Sequence, residues 1–475
     1  MNHFGIQRIS GYLPLTRLDR KAAITALKWS GLGGPRSGRR AVSGWDEDAI
    51  TLALEAARLA VFDKIPGSVV FASTSAPFYE RLQAGIITEA LGLPPSVRSQ
   101  DVSGSRRCGV SALLQALYCS DSVLIAAGDK RLCKAGSPQH LAFGDGGAAV
   151  LTGPDAPARL RGHATTTMDF LDMYASREHP APYQAEERFI RDQAVETILV
   201  PTIRAACVQA GISPTAISHA AVIEPVAGCY KQAAARLGLT APNLSTELAE
   251  AAGDLGAAHA FFALGLAFAQ AEPGDNILLL GFGSGADALI FEVNAPVLGA
   301  AEVVDALKAG RNSQDYLRFL SLSGCVDLDW GMRAEFEQKT AATVLGRYGR
   351  DMLGFIGGRD VDGNIQFPKT PIPVNPARTA PEKLEDVPLR DEAAKIISVT
   401  ADRLNYSPDP PFYFGLVQFN NGARVLMELT DAPIEGFAVG DEVVMRLRIK
   451  SIDRQRGFRT YFWKAAPKQR AQLET

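Results

Sequence analysis

A cysteine stands where an extended run meets a helical pattern. Residues 103–113 read SGSRRCGVSAL. A strand-like run at 99–102 leads into small residues, and a small, apolar, helix-spaced pattern follows Cys108. A thiol at a helix start lies near unpaired backbone N–H groups and the positive end of the helix dipole, which favours its thiolate. If the chain makes or breaks a carbon–carbon bond, Cys108 is the candidate nucleophile. The alternative is a packed core thiol, since small buried cysteines are common.

Two arginines, Arg106 and Arg107, precede it. Guanidinium groups bind oxyanions well, so the pair could hold a ligand phosphate or a substrate carboxylate; a salt bridge at a subunit interface is the alternative. His259 lies in an apolar helical stretch and reads as a hydrogen-bonded core residue. Gly281, Gly283 and Gly285 give a tight turn. The run Trp45, Asp46, Glu47, Asp48 reads as a helix start with acids where the dipole favours them, and as nothing more.

These residues need a large scaffold, and 475 residues supply two or three domains. A net charge of −3 gives no basic nucleic-acid surface. The six cysteines are scattered without a CxxC pair, so neither a zinc site nor a disulfide framework is expected, and a reduced cytoplasm fits. The start, MNHFGIQRISGYLP, has no apolar signal core. Apolar runs such as 277–282 are too short to span a membrane.

Strand and helix patterns alternate up to residue 295. Strands are expected at 6–13, 68–74, 99–102, 122–127, 220–223 and 276–280. Helices are expected at 18–29, 49–62, 84–91, 230–237 and 256–271, with a long one at 189–210 interrupted by Pro201. Residues 31–43 read as a loop, and 165–190 as a cap over a site. VLIAAGD at 123–129 is answered by ILLLGFG at 277–283. This weak internal repeat predicts two similar βαβαβ halves packed together.

Beyond Pro296 the texture changes. Residues 301–350 are charged and helical. Residues 367–388 hold six prolines and read as an extended strap. Five alternating runs follow, at 395–401, 412–419, 423–429, 442–449 and 459–463, as in a small OB-type barrel. The expected parts are 1–165, 166–298, a helical connector 299–350, a strap 351–392 and an all-β domain 393–475.

Several stretches together resemble the thiolase superfamily, on the side of hydroxymethylglutaryl-CoA synthases and ketoacyl synthase III. They are GYLPLTRLDR, SGWDEDAITLALEAAR, the Cys108 elbow, FGDGGAAVLTG and PGDNILLLGFGSGADALIF. The resemblance implies a thioester-forming cysteine, a histidine acid–base partner, an asparagine and an oxyanion hole. Glu224 stands at the histidine's place and Asp254 at the asparagine's. Cys108 is one residue closer to the following glycine than the family's nucleophile. Loop residues Gly283 and Ser284 would contribute to the oxyanion hole. The acid nearest to a synthase's glutamate base is Glu80. The stretch IGGRDVDGNIQFPKTPIPVNP resembles the zinc ribbon that precedes thiolase-associated OB domains. Asp360, Gly363 and Pro373 stand near the places of its cysteines, so no metal is expected.

The resemblance implies an acyl-CoA-dependent acyltransferase that works through a cysteine thioester, with Cys108, Glu224 and Asp254 in its site. It needs no cofactor beyond its coenzyme A thioester substrate. The alternative is a catalytically degenerate subunit that binds CoA and scaffolds an active thiolase-like partner. A homodimer or such a heteromer is expected, with no nucleic acid and no membrane. The aromatic residues at 412–414, 458, 461 and 462 could stack bases, but packing in a small barrel accounts for them equally.

Overall fold

The computed structural model describes residues 4–61, 64–328, 342–378 and 380–468. Nine strands form one sheet. Its order is Ile217–Val222, Asn276–Phe282, Gly285–Val293, Ala158–Thr167, Gly5–Tyr12, Gly146–Gly153, Val123–Asp129, Ser68–Ala72, Arg98–Val102. The seam is narrow: between Gly5–Tyr12 and Ala158–Thr167, Gly5 faces Arg159 and Ile6 faces Ala158.

The pattern repeats on each side of the seam. In the first half, Gly5–Tyr12 is antiparallel to Gly146–Gly153, which is antiparallel to Val123–Asp129, which is parallel to Ser68–Ala72. In the second, Ala158–Thr167, Gly285–Val293, Asn276–Phe282 and Ile217–Val222 repeat that series of directions. This is the duplicated α/β architecture expected from the sequence. The boundary expected at 165/166 falls inside the strand Ala158–Thr167, which pairs with the second half.

One half departs from the βαβαβ expectation. The first half has a further parallel edge strand, Arg98–Val102. The second has in its place a single bridge between Ala220 and Asn243. Pro242 has no N–H to offer a ladder, and the Asn243 side chain accepts from Ser245 N and starts the helix Leu244–Ala251. The chain therefore turns into a helix after one bridge.

The helix His259–Gln270 is buried on every side from His259 to Phe268, as its lack of a polar face requires. The expected helix at 189–210 is divided into Glu187–Ala194, a π turn Val195–Leu199, and Val200–Ala210. Pro201 sits in the first turn of the last piece, where its missing N–H does no harm. The expected loop 31–43 contains a strand, Arg39–Val42, paired with Thr16–Asp19. In the connector, helices Ala300–Lys308, Tyr316–Leu322 and Ala342–Leu353 flank residues 329–341, which lie outside the described residues.

The C-terminal part is a small all-β sheet. Its strand order is Arg424–Glu428, Phe412–Phe419, Ala394–Asp402, Glu442–Asp453, Phe458–Pro467. A parallel bridge between Leu429 and Ala465 joins its two ends. Before it, Ile356–Arg359, Ile365–Gln366 and Glu385–Pro388 form a three-stranded ribbon. Asp360 closes the ribbon's turn by accepting from Asp362 N and Asn364 N.

The Trp45–Asp48 run does more than start a helix, which corrects the sequence reading. Asp48 Oδ1 caps Ala49–Ala60, and its Oδ2 accepts from Arg459 and Tyr461 of the small sheet, both at 2.8 Å. Asp46 meets Lys464 at 3.0 Å, with Trp45 beneath the same ammonium. Arg448, wholly buried, bonds Glu47, Asp431 and the Tyr12 hydroxyl at 3.2, 3.1 and 2.9 Å. Apolar packing is continuous there too: helix Ala49–Ala60 shares one buried cluster with Ile396, Val417, Leu447 and Trp463. A cleft of about 690 Å³ between the two parts is lined by Trp45, Arg311, Phe412 and Lys464, and lies away from Cys108.

Candidate active site

Cys108 is the first residue of the helix Cys108–Ala116 and is 5% exposed. The extended strand Arg98–Val102 feeds it, as the sequence predicts. Backbone N–H groups of Gly109, Ser73 and Cys108 itself favour the thiolate. Burial and the nearby Asp129 outweigh them and push the thiol up to about 12. The resting group is a thiol. The carboxylate acting on it is Asp129, at the end of the strand Val123–Asp129, rather than Glu224 or Asp254.

Arg106 lies between the halves. Its Nη1 donates to Asp254 Oδ2 at 2.8 Å, its Nη2 is 3.6 Å from Asp172, and the Glu224 carbonyl is 3.5 Å away. Arg131 grips Asp254 from the other side, Nη2 to Oδ1 at 3.1 Å, and stacks on Phe143. Burial alone would raise the Asp254 carboxyl; Arg131, Arg106 and His259 overcome this and hold it well below the usual carboxylate range. Burial likewise weakens Arg106's hold on its proton, and Asp254 and Asp172 more than offset it.

Asp254 is placed by a clasp between the halves. Gly144 N donates to Asp254 O at 2.9 Å and Asp254 N donates to Ala142 O at 2.8 Å. A Cβ on Gly253, at φ +89°, would lie 2.7 Å from Gly144 N, so the FGDGG turn and the AGD turn can meet only through glycine.

Glu224 turns to other work. Its Oε2 accepts from Tyr230 N at 2.9 Å at the start of the helix Cys229–Leu237. Burial raises its carboxyl, and the Tyr230, Gly228 and Cys229 N–H groups partly counter that rise. Arg107 donates to Thr166 O at 3.2 Å and lies 3.9 Å from Asp287, which also accepts from Ser111 and Thr165. The charges of both arginines are thus met within the chain.

The hairpin at 282–285 packs on the elbow: a Cβ on Gly283 would meet Ser105 Cβ at 2.6 Å. Ser284 holds φ +49° in this turn. The Gly283 N–H is committed to Gly285 O at 2.9 Å. His259 is a satisfied core histidine: Nδ1 accepts from Leu255 N, and Nε2 lies 3.1 Å from Ser245 O. Glu80 is exposed.

The sequence reading missed Asp129, Arg131 and Asp172. Asp129 had a signal, an acid closing an otherwise apolar strand. Asp172 had a weaker one, since it lies in the segment expected to cap a site, and it does reach Arg106.

Comparison with known proteins agrees with the duplicated sheet and the elbow. No family model matches the chain. The hydroxymethylglutaryl-CoA synthase of Thermococcus gammatolerans is 27% identical over 322 residues, covering 65% of this chain and 89% of that protein. That of Aeropyrum pernix is 25% identical over 356 residues, covering 72% and 96%. Among solved structures, an HMG-CoA synthase complexed with CoA superposes with TM-score 0.57 at 18% identity, over 71% of this chain and 95% of that one. The chain shares the duplicated α/β fold of that synthase. The 3-oxoacyl-(acyl carrier protein) synthase III of Pseudomonas aeruginosa superposes with TM-score 0.54 at 21% identity, over 62% and 99%. These matches leave part of the chain uncovered. At this site the elbow and the Gly-rich hairpin stand together, while the carboxylates at 224 and 254 are engaged with a helix start and with arginines. Among the described residues no helix is long and apolar enough to cross a membrane.

Proposed function

We propose that the chain is an acyltransferase that acts on a coenzyme A thioester, making or cleaving a carbon–carbon bond, with Cys108 as the acyl carrier. The observation that carries this reading is the elbow: a buried thiol on the first turn of a helix, faced by backbone N–H groups and packed against the hairpin at 282–285. The CoA-bound synthase of the same fold supports a CoA thioester as substrate. Because the resting thiol is protonated, transfer requires its proton to leave as the thioester is attacked. Glu224, its carboxyl raised by burial and held at the start of the helix Cys229–Leu237, is suited to proton transfer with an incoming substrate rather than with the Cys108 thiol. Asp254 stays anionic and orients Arg106 over the site. Ser284 completes the hairpin beside the developing oxyanion.

The small sheet is of OB type, supported by its five-strand order and by the bridge that joins its ends. The chain pairs with a second thiolase-like subunit, its own copy or a relative, and the unshared edge of Arg98–Val102 supports this.

One observation favours a second reading. Arg106 and Arg131 surround Asp254 with charge, and the charged group that acts on the Cys108 thiol is the carboxylate of Asp129. A subunit that binds the thioester and leaves chemistry to a partner would be built this way. Release of free CoA from acetyl-CoA, followed by chromatography, separates the two. The acyltransferase reading expects a burst that Cys108→Ala abolishes. Tight acetyl-CoA binding without any CoA release would support the second reading.

A further inference from the structure

Asp129 ends a buried strand and has no exposed surface. Its Oδ1 accepts from Ser73 Oγ at 2.8 Å, Thr74 N at 2.8 Å, Ser75 N at 2.9 Å and Ser75 Oγ at 2.7 Å. Its Oδ2 accepts from Thr74 Oγ1 at 2.9 Å and Ala257 N at 2.7 Å. A carboxylate can only accept, and here donors surround it on every side. All but one of them come from the 73–75 loop of the first half. The exception, Ala257, belongs to the short helix Gly256–Ala258 of the second half.

The approach of that helix is close. Gly256 holds φ +63°, and a Cβ there would lie 2.1 Å from Asp129 Oδ2. Ala257 faces both ways: its N–H is held by Asp129, while its carbonyl lies 3.3 Å from where a Cβ on Gly109 would stand. Gly109 is the neighbour of Cys108. The Ser73 N–H, on the other wall, donates to Val102 O at 3.1 Å and lies close enough to the sulfur to favour its thiolate.

We propose that Asp129 is the positioning residue of the elbow: it joins the 73–75 loop to the helix Gly256–Ala258 and so fixes both walls around Cys108. The same carboxylate lays negative charge beside the sulfur, and with burial this keeps the thiol protonated until substrate enters. The assignment bears on acyl transfer through the reading of Cys108 given above. The experiment below reads the sulfur itself, so the two fail separately.

The test is the rate at which methyl methanethiosulfonate converts Cys108 to its methyl disulfide, with release of methanesulfinate, at fixed pH, followed on its own peptide by mass spectrometry. Asp129→Asn removes the charge and keeps the size, and turns one amide nitrogen, itself a donor, toward the donors that held the carboxylate. The expected rate rises about tenfold or more, since a like charge removed from the vicinity lowers a pKa by about one unit or more. Thr74→Val keeps the charge but takes one exposed donor from it, which concentrates the charge. The expected rate falls about twofold, whereas a loosened loop would make it rise. Asp129→Asn no faster than wild type, or Thr74→Val faster, overturns the proposal. If Asp129→Asn does not fold, the sign of the Thr74→Val change decides alone.

Discussion

Arg106 Nη1 and Asp254 Oδ2 meet at 2.8 Å, one residue from each half of the duplicated fold. Arg131 completes a buried cation–anion–cation row through the same carboxylate. Removing the anion leaves two largely buried guanidinium groups facing each other, with Asp172 the remaining carboxylate beside Arg106. Asp254→Asn should cost about 3 kcal/mol or more, read as a lower urea midpoint at unchanged slope. The carboxyl is held below its unfolded value, so its contribution is present above about pH 4 and is lost as pH falls below that. The variant should therefore lose less stability than wild type between about pH 4 and pH 2.

Arg448 makes the attachment of the small sheet an internal matter of the fold. It is wholly buried against Glu47, Asp431 and Tyr12. Arg448→Met would leave Glu47 buried without its cation, at a cost of about 3–5 kcal/mol. Differential scanning calorimetry should show one transition in wild type and a lower, broader one in the variant. A variant with unchanged calorimetry would mean that the network contributes nothing.

His140 should make the protein acid-sensitive at a mild pH. Burial, with the Arg40 charge, lowers it to about 4. A histidine whose folded pKa is depressed is protonated first in the unfolded chain. Stability should then fall as pH drops from about 6.5 to about 4, by about 3 kcal/mol in all. His140→Leu should flatten that part of the curve of melting temperature against pH.

Gly256→Ala tests the close approach to Asp129. The new methyl group meets Oδ2 at 2.1 Å, on a backbone at φ +63°. Strain and overlap together predict a loss of about 2–4 kcal/mol, measured by denaturant titration. Ala257→Gly, one residue on, keeps the N–H that Asp129 holds and should lose about 1 kcal/mol or less.

The fold was legible because its signals are periodic and repeated. The strand at 123–129 and its echo at 276–282 are apolar runs with glycine near their ends, and such runs pair in sheets. The five alternating strands after residue 394 follow the same rule. The site was less legible because its geometry comes from long-range pairs. Nothing local distinguishes Arg106, which finds Asp254 across 148 positions, from an arginine aimed at substrate. Asp46 and Glu47 read as a helix start, since Asp48 is one; that they also hold Lys464 and Arg448 depends on strands 400 residues away in round numbers, on the order of the whole chain. Pro242 and Asn243 were readable in principle, as a helix start that denies the second half its edge strand.

Peptide-level mass spectrometry after incubation with acetyl-CoA tests the role of Cys108 most directly. The predicted result is an acetyl group on the peptide that carries Cys108, released on addition of an acyl acceptor and absent in Cys108→Ala. An unmodified Cys108 in the wild type, together with acetyl-CoA consumption at the wild-type rate by Cys108→Ala, would contradict it.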